Sequence, residues 1–205
     1  MARPAEHEKR AELARAAVEI LQREGVELSM AALADALGVK RPTLLYHFPT
    51  KAHIVEAALV ELLLEQAAFV LGKVSEHAHP IDRLYAHIRA LYTFHHGREP
   101  RVVFLTQAIA ATAGARLPEI LQAGEAVFEA HRRETVERLR AGIREGTVAP
   151  CDPEALFATV RALNDGLMVQ RVMSGQPLEP VHAFIWEHVL APLKRTGPVA
   201  AGAPG

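Results

Sequence analysis

Residues 29–51, SMAALADALGVKRPTLLYHFPTK, decide how this chain is to be read. Met30, Leu33, Ala34 and Leu37 fall at i, i+3, i+4 and i+7, a single apolar stripe on a helix of two turns, and Ser29 stands where it can cap the first amides. Gly38 follows, where a left-handed backbone ends the helix at least cost, and Val39 returns as an apolar plug. A second helix opens at Arg41-Pro42, since a proline in the first turn gives up no helical hydrogen bond. Leu44 and Phe48 face inward at i and i+4, leaving Lys40, Arg41, Thr43, Tyr46 and His47 on or near the outer face. A helix, a glycine turn and a second helix with a basic, hydroxyl-bearing and aromatic surface make a helix-turn-helix, whose second helix is suited to the major groove of DNA.

Paired short helices joined by glycine also occur in helical proteins that bind no DNA, so the outer face carries the argument. Arg41 can pair bidentately with a guanine edge, and Thr43 offers a hydroxyl and a methyl for thymine. Lys40, Tyr46, His47 and Lys51 are of the kinds that hold phosphates. With Ser29 and Pro42 they form the candidate DNA-binding set.

The run from Ala14 to Lys51, with Ala17, Gly25, Leu33-Ala34, Leu37-Gly38-Val39, Thr43-Leu44, Tyr46-His47-Phe48 and Lys51, resembles the N-terminal domain of the TetR family of transcriptional regulators. The match covers about a quarter of the chain, and glycine, plug, helix and terminal lysine all fall in register. The resemblance implies an all-α protein, a dimer on a palindromic operator, and an effector site in the remaining helices. Two positions depart from the family pattern: Leu45 stands where a phosphate-binding tyrosine is usual, the aromatic having moved to Tyr46, and Lys40 replaces a small or acidic cap.

Composition agrees with an all-α chain. Half of the 205 residues are apolar, and alanine and leucine run through long periodic stretches with few β-branched clusters. A formal charge of -1 argues against a general polyanion binder, so attraction to DNA has to be local. Residues 1–51 hold eight basic and seven acidic side chains, and residues 52–205 hold fifteen and seventeen. Lys40, Arg41 and Lys51 cluster beside the groove-reading surface, whereas the acids of that domain lie mostly on its first helix. Cys151 is the only cysteine, which excludes an intrachain disulfide and suits a reducing interior. The start, MARPAEHEKRAEL, is charged and lacks the apolar core of a signal peptide. Residues 57–72, the most apolar stretch, are interrupted by Glu61, Glu65 and Gln66 and are too short to span a bilayer. A cytoplasmic protein without a membrane partner is expected.

Taken in order, residues 1–7 read as a loose arm with Arg3 able to reach DNA, and a helix over 8–24 ends at Gly25. Thr50 caps a helix to about residue 71, with Ile54, Ala58, Leu62 and Phe69 inward and Lys51 at its phosphate-welcoming first turn. Further helices are expected over 81–95, 101–113, 118–145, 153–173 and 180–194, with Asp152 capping the penultimate one. These give a DNA-binding domain over 1–51, a ligand-binding and dimerisation domain over 52–195, and a disordered tail over 196–205.

In the helix after Asp152, Leu156, Val160, Leu163 and Leu167 form one stripe, while Ala155, Ala158, Thr159, Ala162 and Gly166 offer a second surface of small residues. Val181, Phe184, Ile185, Val189 and Leu193 repeat the pattern. Two apolar faces per helix exceed what one small domain needs, and a homodimer through a four-helix bundle uses the surplus. The alternative is a wholly intramolecular core.

Large side chains among alanine-rich helices can line an apolar cavity for a small molecule, apolar or acyl-type, though such aromatics also serve as ordinary core. The candidate ligand-binding set is Phe69, Tyr92, His95, Phe104, Gln107, Phe128, His131, Asn164, Met168 and Arg171. No cofactor, metal or catalytic residue is expected: the eleven histidines lack HExxH spacing, and neither a GxSxG elbow nor a glycine-rich phosphate loop is present. The reading is a ligand-responsive repressor. The alternative from another class is a small-molecule binding or scavenging dimer without DNA readout.

Overall fold

A computed structural model describes residues 4–112 and 117–195, with side chains over 6–111 and 128–195. Its regular elements are α1 Pro4–Glu24, α2 Met30–Ala36, α3 Arg41–His47, α4 Lys51–Ser75, α5 Pro80–His95, α6 Pro100–Thr112, α7 Leu117–Arg144, α8 Pro153–Ser174 and α9 Glu179–Ile185. A π turn, Trp186–Leu190, and a 3-10 turn, Ala191–Leu193, close the series, so the fold is all-α as expected. Packing divides the chain into two compact units, Met1–Ala67 with Gly97–Val127, and Ala68–His96 with Phe128–Gly205.

In the first unit the stripes meet as their spacing requires. Leu13, Ala17, Val18 and Leu21 of α1, Leu33 and Ala34 of α2, Leu44 of α3 with Phe48, and Ile54, Ala58 and Leu62 of α4 are all buried. Helix α6 packs against α1 and buries Val102, Phe104 and Ala108. The first four turns of α4 lie in this unit as well.

The second unit has its own core of Ile81, Leu84 and Ile88 from α5, Val136 and Leu139 from α7, Phe157 and Val160 from α8, and Ile185 and Leu190 from the last segment. His79 caps α5: its Nδ1 accepts from Ile81 N at 3.1 Å while its Nε2 lies 3.0 Å from the Thr147 carbonyl oxygen, which fixes the proton on Nε2. Asp152 caps α8 as anticipated, accepting from the amides of Glu154 and Ala155. Arg83 is buried and donates to the carbonyls of Val74 and His77, both at 3.3 Å, and to Glu134 at 3.0 Å. One side chain thus holds α4, α5 and α7 together.

Four expectations need correcting or narrowing. Pro4 to His7 are helical rather than a loose arm, since proline suits a first turn and Glu6 complements the positive helix end; Arg3 and the tail over 196–205 lie outside the described residues. In α8 the buried stripe is Phe157, Val160, Asn164 and Met168, while Leu163 is exposed; apolar residues on both faces made the two registers alike in sequence. The single helix over 180–194 is interrupted after Ile185, where the Ala191 amide reaches the Trp186 carbonyl across five residues. Residue 113, the last of the helix expected over 101–113, lies outside the described residues.

Candidate nucleic-acid interface

The loop into α3 is set by backbone geometry. Gly38 has φ +67°, and an added Cβ there would touch nothing within 4 Å, so the left-handed conformation and not lack of room requires glycine. Ser29 Oγ accepts the Ala32 amide at 3.2 Å and starts α2. Lys40 sits at the N-cap of α3 with extended backbone and gives no side-chain cap, which leaves its ammonium to point elsewhere.

Leu44 and Phe48 are fully buried, whereas Lys40, Arg41, Pro42 and Thr43 are exposed and form one edge at the start of the helix. Tyr46 is 70% exposed, the largest aromatic surface among the described residues of this unit. His47 is half-buried, its ring 5.1 Å edge-on from Tyr46. A cation and a hydroxyl at the N-terminal end, where a recognition helix meets base edges, and an aromatic at the other, is an arrangement suited to groove reading with phosphates on either side.

Three residues that the sequence did not single out shape this edge. Glu6 of α1 accepts a hydrogen bond from the Tyr46 hydroxyl, which raises the hydroxyl pKa and keeps it protonated. Arg10 lies over the Phe48 ring, 4.9 Å from its centroid, and its Nε donates to the His47 carbonyl at 3.4 Å. Glu27 pairs with Lys51 at 3.4 Å. Their separations of 40, 37 and 24 residues carry no local periodicity that could have revealed them.

The candidate ligand residues fall in both units. Phe104, fully buried, and Gln107, exposed, belong to the first. In the second, Tyr92 is buried and donates to Glu179 at 2.5 Å; the Arg171 guanidinium lies 5.2 Å over the Tyr92 ring and its Nη2 is 3.1 Å from His96 Nδ1. Burial, then the bond to Glu179, raises the Tyr92 pKa. Met168 is buried one turn before Arg171 on α8. His95 is buried edge-on to Phe94, and Phe69 packs on Phe94 at 5.6 Å and lines a groove of about 240 Å³ with Lys73, Ala86, Arg89 and Thr93. Phe128 lies under Arg161 at 5.2 Å. His131 stacks on His87 and is buried, as is Asn164.

Among the described residues no helix is long and apolar enough to cross a membrane. Residues 13–58 match the family model described as bacterial regulatory proteins, tetR family. No curated protein matches the chain. Among solved structures it is similar to a TetR family transcriptional regulator, PfmR from Thermus thermophilus, with TM-score 0.67 and 22% identity over 89% of this chain and 99% of that one. It is also similar to FadR from Bacillus subtilis in complex with stearoyl-CoA, TM-score 0.67 and 17% identity over 84% and 95% of the two chains. AibR in complex with isovaleryl coenzyme A and operator DNA aligns with TM-score 0.59 and 20% identity over 78% and 86%.

Proposed function

We propose that this chain, which carries the TetR-family N-terminal domain and has the fold of those transcriptional regulators, is a dimeric repressor that holds a palindromic operator and releases it when a small molecule binds. The observation that carries the reading is the exposed edge of Lys40, Arg41, Pro42 and Thr43 on a short helix whose other face is fully buried. Side chains directed outward stand on a helix anchored by the buried Leu44 and Phe48.

A single helix-turn-helix contacts too little DNA for tight specific binding, and two copies joined by symmetry gain from linkage. Support for a dimer comes from α8 and α9, where Thr159, Ala162, Leu163, Gly166, Val169 and Met173 fall on one exposed face and Phe184 is 61% exposed. The proposed partner is a second copy, with the close approach made at Gly166. Release then requires a ligand whose affinity differs between the two arrangements of the dimer. Helix α4 runs unbroken through both units and is the proposed link. By analogy with the acyl-CoA complexes of the FadR and AibR structures, the effector is an apolar or acyl-type molecule.

Selection of binding sites from a random duplex pool tests the reading. An enriched palindrome is expected; a pool that stays random would favour the scavenging dimer instead.

A further inference from the structure

Three helices of the second unit bury polar atoms beside apolar side chains and leave them unbonded. His131 and Thr135 of α7 and Asn164 of α8 are 5%, 3% and 3% exposed. His131 Nδ1, Thr135 Oγ1 and Asn164 Nδ2 are closed off from solvent without a hydrogen-bond partner, as is Nδ1 of the half-buried His87 on α5. His87 and His131 lie face to face, ring centroids 5.2 Å apart and planes 5° from parallel, and Phe157 meets His131 edge-on at 6.0 Å. Thr135 is one turn beyond His131, and Asn164 shares the buried face of α8 with Phe157, Val160 and Met168.

Such atoms are costly to leave unmade, and folded chains keep few of them. Thr135 makes the point most clearly. Helical threonines ordinarily return their hydroxyl to the preceding turn, as Thr93 does to the Arg89 carbonyl at 2.8 Å and Thr106 to that of Val102 at 3.2 Å. Thr135 does not.

The charge of the missing partner can be argued from the surroundings. Stacked rings cannot converge their nitrogens on a metal ion, and among the described residues no group of three metal-ligating side chains occurs. Burial keeps both imidazoles neutral, so each offers one donor and one acceptor. The buried cation near His131, Arg83, has its charge offset by Glu134 at 3.0 Å, although its Nε is left unbonded. Arg161, which faces His87, is 47% exposed, stacked on Phe128 and 4.0 Å from Asp165. A ligand carboxylate would lose its water beside cations whose charge, among the described residues, is already offset by Glu134 and Asp165.

We infer that His87, His131, Thr135 and Asn164 form the polar end of an effector site that takes an apolar molecule bearing an uncharged oxygen, such as a ketone, ester or lactone, and rejects the corresponding free acid. The carbonyl accepts from Asn164 Nδ2 and from an imidazole N–H, and the alkyl part lies against Phe157, Val160 and Met168. This rests on the proposal that the second unit holds the effector of a regulator. It is measured without DNA, so a failure of operator reading would leave it untouched.

The experiment compares γ-decalactone with sodium decanoate, read by thermal midpoint and by fluorescence of Trp186, the only tryptophan, which packs on Tyr85 at 4.8 Å. The lactone should raise the midpoint and perturb Trp186 while decanoate does neither. Asn164→Leu, which removes an unbonded donor at similar volume, should leave the unliganded midpoint unchanged or higher and weaken the lactone about ten-fold or more. Thr135→Val serves as a second variant with the same expectation for the unliganded chain. Equal binding of decanoate, no response to the lactone as when the atoms hold only water, or an Asn164→Leu chain that is less stable yet binds as before, would each overturn the assignment.

Discussion

The Tyr46 hydroxyl donates to the Glu6 carboxylate, joining the exposed end of α3 to the first turn of α1. A DNA phosphate that uses this hydroxyl has to displace an anion already in place, and Glu6 itself would stand close to the backbone it repels. Glu6→Gln is therefore expected to tighten binding to any duplex by roughly two- to five-fold, while Tyr46→Phe weakens it without changing sequence preference. Fluorescence anisotropy on an operator and on an unrelated duplex checks both. Unchanged affinity in both variants would remove Tyr46 from the interface.

Arg41 and Lys51 should fail in different ways. Arg41→Ala is expected to lose about 1 to 3 kcal/mol on the selected operator and to relax choice at one base pair, because a bidentate guanine contact is replaced by nothing. Lys51→Ala should weaken all DNA alike and reduce the slope of log affinity against log salt by about one. Neither change should unfold the chain, since Arg41 is exposed and the Lys51–Glu27 pair, with Glu27 92% exposed, is worth little. Identical salt slopes for parent and Lys51→Ala would contradict the phosphate assignment.

The stacked histidines make stability depend on pH. The His87 pKa is pushed down to about 3, first by burial and then by His131 and Arg161, and that of His131 is lowered by burial, with Glu134 opposing and Arg83 reinforcing. Between about pH 6.5 and about pH 3 the unfolded chain binds a proton at residue 87 that the folded chain refuses, so folding stability rises with pH in this window and is lost on acidification. Urea midpoints should fall between pH 7 and pH 5, and His87→Leu should flatten that fall. A variant with the same pH dependence as the parent would mean that other groups govern it.

Phe184→Glu tests the dimer. With 61% of its surface exposed, Phe184 adds little to the fold of one subunit, and a carboxylate there would be buried twice over at a symmetric interface. Sedimentation should show monomers with unaltered helix content and lost operator binding. Dimers that persist would place the interface elsewhere.

The helix-turn-helix was readable because its signals are local. Ser29, Gly38 and Pro42 fix the caps and the turn within a few residues, and Leu44 and Phe48 fix the inward face. Helix α8 was less readable: Leu163 and Asn164 are neighbours, hydropathy favours burying the leucine, and in a helix packed on α5 it is the asparagine that is buried. The companionship of α6 with α1, and of Glu6, Arg10 and Glu27 with the recognition edge, depends on tertiary contacts that sequence spacing does not encode. Gln107 was offered as a ligand contact on its chemistry alone, and it lies exposed.

The π turn at Trp186–Leu190 has a consequence for which mutations this segment can survive. Ile185 and Leu190 are both buried, although residues five apart on an α-helix point about 140° from one another; the wider turn closes that gap. Removing one residue there would let the backbone tighten into a regular helix in which Ile185 and Leu190 stand four apart, about 40° from one another, so that both still face the interior and the side chains beyond keep their direction. A single-residue deletion within these five positions should therefore be tolerated better than one inside a regular helix such as α5, where it would turn every later side chain by about 100°.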